Sequence, residues 1–125
     1  MAMFRWLRQK LQRPFPLGLW SVSFDGSDIV TSDGQGTEQR LPIIDLKRVV
    51  IATDDSGPWD ADVVFLLYSA LPHPVALFPL EAAGRDGFLR WLSSFPGFRE
   101  HEVRKAMGST KVARFEIFEA EFNDS

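Results

Sequence analysis

The chain has 125 residues and a net charge of −3, and its composition (45% hydrophobic, 25% charged, 13% aromatic) is that of one globular domain. It contains no cysteine, which excludes disulfides, thiolate nucleophiles and cysteine-bound zinc and fits a reducing cytoplasm. No run of 18 apolar residues occurs, so no membrane-spanning helix is expected, and the N-terminal residues do not form a secretory signal.

Charge is unevenly placed. Residues 1–24 hold four bases (Arg5, Arg8, Lys10, Arg13) and no acid, leaving ten bases against seventeen acids, −7, in the other 101 residues. That body is expected to repel nucleic-acid phosphates, and only the N-terminal arm would attract an anionic surface. Eleven Phe and four Trp stand against one Tyr. Phe has no polar tip to satisfy, so most of these rings are expected in the core.

Within residues 2–12, Phe4, Leu7 and Leu11 fall on one helical stripe with Trp6 beside it, and Pro14 and Pro16 end any helix. Residues 1–16 therefore read as a basic amphipathic arm or helix. Phe4, Arg5, Trp6 and Arg8 are its candidate contacts for a membrane surface or a partner. Residues 17–125 read as a single domain.

Strands follow. In residues 20–25 Trp20, Val22 and Phe24 alternate with serines, which predicts a half-buried strand with those three on the core face. The turn signals at 25–28 and 32–36 bracket a second strand around 29–31. A third covers about 37–43, and Pro42 marks it as an edge or a bulge. The apolar run at 47–53 is the fourth. Residues 62–68 are apolar on both faces and read as a central strand. Residues 75–80 pair back as the sixth, with Pro79 again marking an edge or strand end.

A helix is expected near 86–95, with Phe88, Leu92 and Phe95 at i, i+4 and i+7 facing the sheet and Pro96-Gly97 stopping it. A second short helix is expected near 100–107, acids early and bases late to match the dipole, with Gly108 just past its end. A seventh strand, 111–122, returns to the sheet. The fold class is α+β: a curled antiparallel sheet of about seven strands closed by the first helix.

Chemistry-bearing clusters are few. Asp54, Asp55, Asp60 and Asp62 place four carboxylates in nine residues, a set a hard cation could use. Pro58 and Trp59 interrupt the spacing that a calcium loop requires, so a solvated acidic loop is the plainer reading and no metal is assigned. His73 and His101 lie far apart in sequence, with no second ligand at helical spacing. No nucleophile elbow or phosphate-binding loop occurs, and no cofactor is expected. Trp59 in the acidic loop is either a lid on its own core or an anchor for a partner.

Two resemblances add to this reading. The succession WSVSFDG, DIVTSDG and RVVIAT followed by a helix resembles the pleckstrin-homology-like roll over residues 20–98, although a second helix and a strand follow here. The segments GPW-x-A-D-V, L-x-x-F-P-G-F and A-M-x-S-T, within residues 54–119, are similar to a group of small bacterial proteins of no assigned activity, and transfer no catalytic residue. The expected function is a non-enzymatic binding domain of a bacterial cytoplasm. Its partner is another protein, homodimerisation is open, and a membrane is met only through residues 1–13. The alternatives are an immunity protein that neutralises a basic toxin, and a metal-dependent site on the 54–62 loop.

Overall fold

The computed structural model describes residues 19–53, 63–109 and 111–120. Its elements are seven strands and two helices. They are β1 (Ser21–Asp25), β2 (Asp28–Ser32), β3 (Glu38–Pro42), β4 (Arg48–Thr53), β5 (Val63–Tyr68), β6 (Ala76–Pro79), α1 (Arg85–Leu92), α2 (Glu100–Met107) and β7 (Ala113–Glu119). The expected α+β class and strand number hold. All pairings between strands are antiparallel.

The strands form two sheets, β1-β2-β3 and β6-β5-β4-β7, rather than one curled sheet. The break falls between β3 and β4. Pro42 has no N–H to extend a ladder, and a 3-10 turn at Ile43–Asp45 redirects the chain. Strand β4 then pairs with β5 on one side and β7 on the other. At the seam, the Oε1 atom of Gln39 accepts from the backbone N–H of Leu77 at 3.3 Å and from the Thr31 hydroxyl at 3.3 Å. A side chain of β3 thus meets β6 where a backbone ladder would have joined the sheets.

The proline assignments hold. Strand β3 is an edge of its sheet and ends at Pro42, and β6 is an edge and ends at Pro79. Strand β5 is central, as its two apolar faces require, and Phe65, Leu66 and Leu67 are fully buried.

Alternation along the four-stranded sheet puts Val49 and Ile51 of β4, Phe65 and Leu67 of β5, and Phe78 of β6 on one face. A register shift between Val49 and Val50 sets Phe118 opposite Val49 and Phe115 opposite Ile51, so both β7 rings join that face. Phe65 stacks on Phe78 at 4.8 Å, and Phe88 of α1 meets the Phe78 ring edge-on at 5.3 Å. Phe88 and Leu92 are buried at 1% and 0% exposure, each contributing roughly 1.5–3 kcal/mol against staying in water. Helix α1 packs on β1 as well, and so bridges the two sheets.

Two core expectations are corrected. Helix α1 stops at Leu92, not near 95: past it the backbone bonds tighten to i−3 at Ser94 and Phe95, and the Ser93 and Ser94 hydroxyls donate to the carbonyls of Arg90 (2.8 Å) and Trp91 (2.7 Å). Phe95 therefore leaves the helical stripe and is 37% exposed. Phe24 is the second. Trp20 and Val22 are buried as expected, but Phe24 sits at the hairpin end of β1 and is 40% exposed. Smaller differences concern the ends of α2. Phe98 bridges to Phe118 rather than opening the helix, and Gly108 caps it at φ −96°, within reach of any residue.

Candidate functional site

The two misplaced rings converge. Phe24 lies 4.9 Å from Trp91, and Trp91 lies 4.9 Å from Phe95. Phe88 forms the floor, 6.4 Å from Phe24 and 5.8 Å from Trp91. Phe95 continues the row towards Phe118 at 6.2 Å. The result is a strip of aromatic surface that crosses the last residues of β1, the outer side of α1 and the turn after it.

Each position is held by its own element. Phe24 precedes the Gly26-Ser27 turn, where Gly26 takes φ +63° and closes the β1–β2 hairpin. Trp91 occupies the flank of α1, with its ring against that of buried Phe88, and is half-buried. Helix α1 starts at Gly84, whose φ of +89° suits glycine, and a Cβ there would strike the Val22 carbonyl. That close approach sets α1 against β1 and brings Trp91 to Phe24. Phe95 is placed by Gly97, where a Cβ would collide with the Glu119 carbonyl oxygen of β7.

The polar surface on the four-stranded sheet is engaged internally. Arg99 donates to Glu119 at 3.0 Å and to Glu116 at 3.2 Å. The bond to Glu119 leads in raising the Arg99 pKa, with Glu116 adding to it against the cost of burial. The Arg48 guanidinium lies 4.2 Å above the ring of buried Tyr68, and Arg114 donates to the Tyr68 hydroxyl at 2.6 Å. On the three-stranded sheet Arg40 contacts Asp25, Asp28 and Glu38, and its bond to Asp25 is the leading cause of its raised pKa. Arg40 and Arg99 thus tie neighbouring segments together through charge-assisted bonds.

Trp59, Asp54, Asp55, Asp60 and Asp62 lie outside the described residues, as do Phe4, Arg5, Trp6 and Arg8. Among the described residues no three His, Cys, Asp or Glu side chains gather as a metal would need. No described helix is long and apolar enough to cross a membrane. His73 is exposed in its turn with Nδ1 3.5 Å from the Pro74 carbonyl, and His101 is exposed on α2. Among the described residues neither belongs to a group of three metal-ligating side chains.

Two of the three motif segments fall on described residues and have packing roles there, whereas GPW-x-A-D-V lies outside the described residues except for Val63. In L-x-x-F-P-G-F, Leu92 is buried, Gly97 admits β7, and Phe98 bridges Phe118. In A-M-x-S-T, Ala106 is buried, and the Ser109 hydroxyl accepts from the Lys111 backbone N–H at 3.2 Å next to buried Thr53. Thr53 in turn donates to the Lys111 carbonyl at 2.6 Å. These two segments help hold α1, α2 and β7 in place.

No family model, curated protein or solved structure matches the chain.

The strip itself was missed by residue periodicity. Two local signals point to it. Phe95 follows a Ser-Ser pair and precedes Pro-Gly, a helix-stop pattern, and Phe24 abuts the Asp-Gly turn at a hairpin tip.

Proposed function

We propose that this chain is a non-enzymatic binding domain whose partner is another protein, met along the Phe24–Trp91–Phe95 strip. The observation that carries the reading is the run of three contiguous aromatic rings, two of them more than a third exposed, on well-packed elements. Aromatic side chains dominate interface energetics, and rings already held in place lose little conformational entropy on binding. A negatively charged body argues against nucleic acid as the partner. The cysteine-free composition is compatible with a reducing cytoplasm.

The finer fold reading, a pleckstrin-homology-like roll, is supported by the contact of β2 and β3 with β6 across the seam. The return of β7 to β4 after both helices departs from that pattern.

The test is affinity capture with the intact chain and with the double variant Phe24→Ser, Phe95→Ser. Both rings are already part-exposed, so the variant is expected to fold. A specific protein partner should bind the intact chain and lose at least roughly tenfold affinity for the variant. Equal capture by the two proteins rejects the strip as the contact.

A further inference from the structure

A buried donor on the four-stranded sheet lacks an acceptor. Arg48 of β4 stands directly opposite Tyr68 of β5, and on β7 Arg114 and Glu116 stand opposite Ala52 and Val50. Alternation places all four on the face away from Phe65 and Phe78. Tyr68 is 1% exposed. Its hydroxyl accepts from Arg114 at 2.6 Å, and among the described residues no group accepts the hydroxyl's own hydrogen. A buried tyrosine O–H ordinarily has such an acceptor.

The charges around the ring fall short of an acid at the same place. Glu116 is shared by Arg48 at 3.7 Å and Arg99 at 3.2 Å, and Arg99 also takes Glu119 at 3.0 Å. Three arginines thus meet two carboxylates, and Arg114 touches neither of them. Arg48 lies over the Tyr68 ring at 4.2 Å. Two guanidinium groups therefore meet one ring, one at its face and one at its hydroxyl. The net charge of −3 is weakly felt there, because exposed charges beyond about 8 Å are screened at physiological ionic strength. An anion supplies the missing acceptors and adds no donor. The planar guanidinium fork takes two oxygens and the hydroxyl takes a third. A phosphate group offers three, whereas a carboxylate has two.

We propose that Arg114, Tyr68 and Arg48 form a binding site for the phosphate group of a small anion. Arg114 presents the fork. Tyr68 donates its O–H to an oxygen that enters beside the exposed Arg114 side chain. Arg48, whose side chain is 36% exposed, adds the second positive charge, and the Glu116 carboxylate beside it closes that side to the anion. The Phe24–Trp91–Phe95 strip lies over the opposite face, next to Phe88 and Phe118, so the two readings stand or fall separately.

Tyr68 is the sole tyrosine of the chain, so isotope-labelled tyrosine gives a single side-chain signal whose Cζ shift reports on the hydroxyl. The intact chain is titrated at constant ionic strength with inorganic phosphate, with a glycerol phosphate and with acetate. A saturable shift is expected with both phosphates. Affinity should fall at least roughly tenfold in Arg114→Gln and stay unchanged in Arg90→Gln, which removes an exposed arginine of α1. Tighter binding of the ester assigns the site to a phosphorylated small molecule, and equal or weaker binding of it to free phosphate. A shift that does not saturate overturns the proposal. So does an affinity that Arg114→Gln leaves intact or that Arg90→Gln lowers as much, and so does acetate binding more tightly than phosphate. Where Arg114→Gln prevents folding, Arg114→Lys, which keeps the charge and loses the fork, replaces it and is judged by the same ratio.

Discussion

A methyl group added at Gly97 has no space, because the Glu119 carbonyl of β7 already occupies it. A methyl group at Gly87, within α1, meets nothing within 4 Å. The two substitutions should therefore move stability in opposite directions. Gly97→Ala forces backbone apart and should cost about 1–3 kcal/mol. Gly87→Ala should add about 0.5–1 kcal/mol by restricting the unfolded chain and favouring helix. Urea denaturation of both variants checks this, and a neutral Gly97→Ala would contradict the close approach. In sequence both glycines look like ordinary punctuation. Only the neighbouring strand distinguishes them, and that strand is more than twenty residues away for Gly97.

At the level of the element, α1 shows how a periodic stripe overruns its helix. Spacing places Phe88, Leu92 and Phe95 together, but the helix ends at Leu92 and Phe95 goes to the rim. Periodicity reads side-chain direction only while the backbone stays helical. The Ser93 and Ser94 hydroxyls compete for the last carbonyls and help end it. Truncation should separate the two roles. Phe88→Ala, which empties a site edge-on to Phe78, should cost about 3–5 kcal/mol. Phe95→Ala should cost only about 1–2 kcal/mol, because over a third of the residue is already in water. Thermal melts and urea midpoints give the ratio, and equal costs would place Phe95 in the core. Strands were more legible than the helix end. Pro42 and Pro79 mark edges because they lack a donor, and the two-faced apolar run at 63–68 marks the centre.

Across the whole molecule, the seam at Gln39 decides how the two sheets are held. Its Oε1 atom satisfies the Leu77 N–H at the outer edge of β6 and the buried Thr31 hydroxyl. Gln39→Ala leaves both donors short of a partner, a cost of about 1–3 kcal/mol. Amide exchange at Leu77 should accelerate by roughly tenfold while the β4–β5 ladder stays protected. Uniform acceleration across both sheets would mean that the seam is not a local closure. Nothing in residues 37–43 singles out Gln39, since a polar residue in an edge strand is expected to face water. Its role depends on β6, which lies almost forty residues further along the chain. The candidate surface has the same origin. Phe24, Trp91 and Phe95 come from three elements, and no window of the sequence contains them all.

Alternation, turn residues and proline act over a few residues, so the amino-acid order alone determined the seven strands, the two proline-marked edges, the second helix and the burial of Phe88 and Leu92 in the first. Tertiary contact decided the division into two sheets, the choice of β4 as partner for β7, and which rings stay at the surface. The reason is that strand partnering and solvent exposure are set by residues distant in the chain. The same Phe is core or surface according to what the fold brings opposite it.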